Sequence, residues 1–319
     1  DNGDINSMRK YANMLNKGDG IAINKYESSQ YYKLAADKGD ITSMYKYAVM
    51  VDEGDGIEIN KKEAAHYYKL AADKGDVVSM YNYALMLDYG DDIEANKKEA
   101  AHYYKLAADK GDVESMRNYA VMLEKGDGIE KSKKEAAHYY KLAADNGDVD
   151  VMHYYASMNY NGDGIEVNKD EASHYYKLAA DNGNAKSMHC YASMNYNGDG
   201  IEVNKDEAIH YYKLATHKGD VSSMYNYAVM LESGDGIETN KAEAAHYYKL
   251  AADNGDVNSM RNYAIMLNKG DGIEIDKNES ARYYKLAADK GDITSMYNYA
   301  VMLDNGDGIK TNKKKAAYY

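Results

Sequence analysis

The residues of this 319-residue chain that could do chemistry are few in kind and regular in spacing. Turns such as Gly54-Asp55-Gly56 invite comparison with calcium loops. An EF-hand needs oxygen ligands at its first, third, fifth, ninth and twelfth positions, with glycine at the sixth. The stretch Asp52 to Glu63 has an acid at each end but glycine at the third and fifth places, which argues for a plain turn. The same turns do not read as phosphate loops, because an acid stands where the anion would sit. Six histidines, His66, His102, His138, His174, His210 and His246, recur at one spacing. Neighbouring rings are expected to lie about a helix diameter apart, ~10 Å, too far to share a metal. They are expected on an outer, solvated face, a pH-responsive surface being the other reading. His153, His189 and Cys190 have poor spacing for a metal site and no converging carboxylate. His189 and Cys190 are adjacent, so on a helix they diverge and make no nucleophile–base pair. No catalytic residue, metal or cofactor is expected, and the chain does not read as an enzyme.

What positions these residues is one repeating element. All 18 methionines fall into two series, Met8, Met44, Met80 and onward, and Met14, Met50, Met86 and onward, each advancing by 36 residues. All 26 glycines are punctuation in the same period; the one gap is Asp92, in Gly90-Asp91-Asp92. The chain therefore divides into nine units, 4–39, 40–75, 76–111, 112–147, 148–183, 184–219, 220–255, 256–291 and an incomplete 292–319. In the second unit Asp40 is a good N-cap, and Ile41, Met44, Tyr47, Ala48 and Val51 form one apolar stripe at helical spacing. Gly54 ends that helix, since a residue just past a helix end commonly needs positive φ. Ile57 is the expected apolar plug beneath the turn. Asn60-Lys61-Lys62-Glu63 reads as a capping box opening a second helix, whose buried residues are Ala64, Tyr67, Tyr68 and Ala71. Neither helix covers its stripe alone, so neighbouring units must stack.

The sequence of Ala48, Gly54, Gly56, Ile57, Ala64, Tyr67, Tyr68, Ala71, Ala72 and Gly75 resembles the Sel-1-like repeat, a relative of the tetratricopeptide repeat. The match recurs nine times, with regular departures: Met44 for the family's alanine, Tyr47 for leucine, Tyr67 for tryptophan and Leu70 for lysine. The resemblance implies an all-α, right-handed α-solenoid of nine 36-residue helix-turn-helix repeats. It also implies an adaptor that assembles other proteins. The remaining readings are a structural component packing along a filament or large assembly, and the regulatory repeat region of a longer enzyme. The chain opens as the tail of an earlier unit and stops inside a second helix, so it is expected to be a fragment.

In related solenoids the first helix of each unit, helix A, lines a concave groove that grips peptides, and this is the expected binding surface. The candidates are Tyr45, Tyr81, Asn82, Arg117, Asn118, His153, Tyr154, His189, Tyr225, Asn226, Arg261, Asn262, Tyr297 and Asn298. Asparagine can donate to and accept from a peptide backbone at once, and tyrosine and arginine are frequent interface anchors. Lys69 and Lys105 are expected on the opposite, outer face. The fifth and sixth units differ from the rest, with Ser157, Asn159, Ser193 and Asn195 at otherwise apolar positions. Either recent duplication or a polar specificity patch would produce this. The net charge of −13 disfavours nucleic acid and anionic lipid as partners. A mean hydropathy of −0.75 speaks against membrane insertion. A single cysteine fits a reducing, cytoplasmic setting. The expected partner is thus a protein or peptide.

Overall fold

A computed structural model describes residues 4–319; Asp1–Gly3, with the first junction glycine, lie outside the described residues. Among the described residues there are 18 helices and no strand. They alternate as helix A and helix B of successive repeats, beginning with α1 (Ile5–Lys17), α2 (Lys25–Asp37), α3 (Ile41–Glu53) and α4 (Lys61–Asp73). The chain forms two compact units, Asp1–Val167 and Asn168–Tyr319. Within each, helix A packs on the helix B that follows it, and that helix B packs on the next helix A.

Local chemistry sets the helix ends. The Asp40 carboxylate accepts from the Ser43 backbone N–H at 2.9 Å, filling one orphan donor of α3. Gly54 closes the helix at φ 74°, where a Cβ would be strained. The second glycine of the turn has a different reason. A Cβ on Gly128 would lie 2.5 Å from the carbonyl carbon of Lys97 in the preceding repeat. At Gly128 the repeats therefore stack closely enough that a side chain would force them to shift. Asp92 occupies the same place with φ 52°, the only described non-glycine residue at positive φ.

The core of a repeat is an aromatic pair flanked by methionine and alanine. The Tyr47 and Tyr67 rings meet edge to face, 4.8 Å apart and at 84°, and Tyr191 and Tyr211 repeat the arrangement at 4.9 Å. Such pairs contribute about 0.5–1.5 kcal/mol beyond their burial. Met44, Ala48, Val51, Ala64, Tyr68 and Ala71 are buried around them, as the apolar stripes predict. Ile57 is half-buried.

The reciprocal capping box is not formed. Asn60 does accept from the Glu63 N–H at 3.1 Å, but the Asn60 N–H donates to the Val51 carbonyl at 3.0 Å. The Glu63 carboxylate is thereby released. It accepts from Lys33 of the preceding repeat at 2.5 Å and from the Tyr47 hydroxyl at 2.9 Å. A residue expected to serve one helix end instead ties two repeats together.

Candidate functional site

Helix A begins at its capping aspartate, and one turn further on stands the Tyr45 position of each repeat. The structure gives this position a task that its spacing did not suggest. In the first unit Arg9 donates to Asp40 at 2.7 Å and Arg117 to Asp148 at 2.9 Å. In the second, Arg261 donates to Asp292 at 2.6 Å, while His189 lies 3.6 Å from Asp220 and 3.1 Å from the Ser223 hydroxyl. Each acceptor is the N-cap acid of the next helix A. Tyr45 and Tyr81 face the equivalent acids, Asp76 and Asp112; their hydroxyl pKa values rise mainly through burial and also through those charges. The cationic members are thus staples between repeats as well as surface residues. Half-buried ion pairs of this kind contribute little singly and order the stack as a set.

The asparagine row is half-buried and faces the tyrosine hydroxyls of the preceding helix B. Asn262 lies beside the buried Tyr248, and Asn226 beside Tyr212. Asn118 lies beside Tyr104, although that hydroxyl has no partner in good hydrogen-bond geometry. In the second repeat Lys46 replaces the asparagine and approaches the Tyr32 hydroxyl at 3.4 Å. A carboxamide carries more bonding capacity than one phenol consumes. Asn82 and Asn298 occupy the same place in their repeats and are likewise half-buried.

The tyrosines of the row differ in exposure. Tyr45, Tyr81 and Tyr225 lean on Tyr68, Tyr104 and Tyr248 with ring centroids 6.3, 6.2 and 6.1 Å apart. Tyr297, in the ninth repeat, is 68% exposed. Tyr154 donates to Glu124 at 2.5 Å and packs against the Tyr140 ring at 4.8 Å. His153 is half-buried in the same row.

Two expectations about the other positions need correction. Lys69 and Lys105 are not idle outer-face residues: Lys69 pairs with Glu99 of the next repeat at 2.6 Å, and Lys105 donates to the Tyr139 hydroxyl at 2.7 Å. Asn159 and Asn195 form no surface patch. Both are buried, and their carboxamides donate to the Tyr155 and Tyr191 carbonyls at 2.9 and 2.8 Å. His66 and its equivalents are exposed, as expected. Burial pushes the His189 pKa down and the Cys190 thiol up, which favours the neutral imidazole and the protonated, less reactive thiol.

Sequence reasoning missed one recurrent link. The Tyr67 hydroxyl donates to Asp37 at 2.5 Å and Tyr103 donates to Asp73 at the same distance, each reaching back one repeat; Tyr283 does so to Asp253. The available signal was an aspartate 30 residues before each such tyrosine. In the sixth repeat that acid is His217, and Tyr247 is only half-buried.

An array of paired helices with these turns is a helical-repeat protein. The Sel1 repeat model matches nine times, at residues 5–40, 41–76, 77–112, 113–148, 149–184, 185–220, 221–256, 257–292 and 293–319. The chain belongs to the Sel1 repeat family, whose members commonly serve as protein-interaction scaffolds. Its fold is similar to that of c5321, a protective antigen of uropathogenic Escherichia coli with an SLR fold. The TM-score is 0.83 at 22% identity, over 98% of this chain and 67% of that one. It is also similar to a Sel1 repeat protein from Oxalobacter formigenes, with a TM-score of 0.69 at 20% identity, over 92% of this chain and 85% of that one. A comparison with curated proteins found no match. No helix among the described residues is long and apolar enough to cross a membrane.

Proposed function

We propose that the chain is a protein-interaction scaffold that holds an extended peptide along the helix A row. The observation that supports this reading is the half-buried carboxamide row, Asn82 and Asn118 in one unit and Asn226, Asn262 and Asn298 in the other. Asn118, Asn226 and Asn262 lie beside tyrosines of the preceding repeat, and a carboxamide has capacity for a main-chain hydrogen bond. Arg117, Arg261 and the tyrosines beside them supply side-chain choice. The net charge of −13 favours a protein or peptide over nucleic acid.

The test is selection of peptides from a displayed library, followed by titration calorimetry. Each main-chain hydrogen bond contributes about 0.5–1.5 kcal/mol, so Asn82→Ala with Asn118→Ala weakens a selected peptide roughly ten- to a hundred-fold. Melting of the double variant checks that the loss is not unfolding. The control is His66→Ala with His102→Ala, because Lys69 and Lys105 belong to the inter-repeat ties. Lost affinity in the histidine pair with affinity kept in the asparagine pair would place binding on the helix B face and end the proposal.

A further inference from the structure

The sixth repeat differs from the second, third, fourth, seventh and ninth at a place where they hold a carboxylate; the fifth has Tyr160 there, and the first and eighth have Asn16 and Asn268. In the fourth repeat the Glu124 carboxylate, half-buried, accepts from the Tyr140 hydroxyl at 2.9 Å and from Tyr154 at 2.5 Å. In the seventh, Glu232 accepts from Tyr248 at 2.7 Å. In the second, Asp52 stands 3.5 Å from the Tyr68 hydroxyl. In these three repeats the second tyrosine of helix B thus meets an acid on helix A of its own repeat. Both of these donors to the Glu124 carboxylate are phenol hydroxyls.

In the sixth repeat the acid is Tyr196. Its hydroxyl turns away to donate to Asp235 in the next turn at 2.7 Å, and Lys205 pairs with the same aspartate. The buried Tyr212 hydroxyl, whose pKa burial raises to about 12, lies on one cavity wall with Ser193 and Asn226. Its own proton has no carboxylate to receive it. Ser193 stands where most repeats carry valine or leucine, which shortens the wall. The result is a cavity of about 160 Å³ lined by Ser193, Tyr196, Asn197, Tyr212, Asn226 and Val229. That is well below the ~300 Å³ at which pockets for whole small molecules begin, and it suits one side chain.

We infer that this cavity receives a carboxylate in trans, an aspartate or glutamate side chain of the bound partner, in place of the acid that the second, fourth and seventh repeats supply from within. Tyr212 O–H and the Asn226 carboxamide are its donors, and Val229 packs on the methylenes. Asp235 does not oppose it, because Lys205 already pairs with that charge. The source of the carboxylate rests on the peptide-binding reading; the chemistry of the cavity does not.

The probes are N-acetylglutamate N-methylamide and its glutamine counterpart, titrated into the full chain and followed by the side-chain amide signals of Asn197 and Asn226. The glutamate probe is expected to bind about tenfold more tightly, as charge-assisted hydrogen bonds exceed neutral ones. Tyr196→Glu, which restores the acid of the fourth and seventh repeats, is expected to abolish the response while the protein still melts cooperatively. Should that variant fail to fold, Ser193→Val fills the cavity with the side chain other repeats use and is expected to abolish it too. Equal affinity for the two probes would overturn the proposal. So would a response surviving both substitutions, or no shift at the solubility limit of the glutamate probe. A missing probe response alongside Asn82- and Asn118-dependent peptide binding removes the cavity and leaves the groove standing. The reverse result removes the groove and keeps the cavity.

Discussion

Gly126 and Gly128 lie in one turn with nearly equal backbone angles, φ 76° and 75°, and they separate two effects that sequence cannot. Alanine at either position adopts a left-handed conformation at about 1–2 kcal/mol, partly offset by a stiffer unfolded chain. Beyond that the two diverge. A Cβ on Gly126 would stand 3.1 Å from the Lys131 Cβ, a contact that a movement of a few tenths of an ångström relieves. A Cβ on Gly128 would stand 2.5 Å from the carbonyl carbon of Lys97 and 2.7 Å from its oxygen. That is backbone at the start of the preceding repeat's helix B, so relief requires the repeats to part. Overpacking of this kind costs about 1–3 kcal/mol. Gly128→Ala is therefore expected to destabilise by about 1–3 kcal/mol more than Gly126→Ala.

A repeat array need not unfold in one step, so the assay is native-state hydrogen exchange on the helices at Lys97–Ala108 and Val113–Lys125, with urea melts beside it. Gly20→Ala serves as a third point, since a Cβ there would meet nothing within 4 Å. Asp92→Gly is the same experiment in reverse, removing a φ of 52° and gaining about 1 kcal/mol. Equal losses at Gly126 and Gly128, or the larger loss at Gly126, would refute the close-approach argument.

Two further outcomes follow from the same stack. Burial raises Tyr32, Tyr227, Tyr283 and Tyr284 from an ordinary 10.0 to about 12. The folded state then holds more protons than the unfolded one between those values, so stability is full below pH 10 and falls as pH rises through 12. Absorbance at the phenolate band, read with circular dichroism, should show most tyrosines ionising only as helicity is lost; titration near 10 with helicity intact would contradict the burial. Deleting residues 76–111 should leave a folded, shorter array with proportionately lower unfolding enthalpy, whereas deleting 76–93 should not fold, because one helix stripe is then left in water. Calorimetry distinguishes them, and the opposite pattern would mean that the helix pair is not the stacking unit.

The repeat, its caps and its core were legible because each rests on residues close in sequence. An aspartate before an apolar stripe and a glycine after it act within one helix, whatever lies beside them. The links between repeats were not legible in the same way. Glu63 looked like half of a capping box, since the motif is local; its carboxylate serves Lys33, 30 residues earlier. Arg117 looked like a free anchor, and Lys69 like a solvated lysine; their partners, Asp148 and Glu99, lie 31 and 30 residues ahead. Such offsets acquire meaning only when the stacking distance and register of two helix pairs are fixed, and that is a property of the packed array. The preference for tyrosine over phenylalanine becomes intelligible on the same ground. At Tyr47 and Tyr67 the ring fills the core while the hydroxyl reaches Glu63 and Asp37. Phenylalanine would keep the packing and leave the part-buried Glu63 carboxylate one donor short, at roughly 1–3 kcal/mol, and would remove the Asp37 tie between repeats. The aromatic core and the inter-repeat polar ties are therefore one device. What reads along the chain as a compositional bias is the stacking interface written once per repeat.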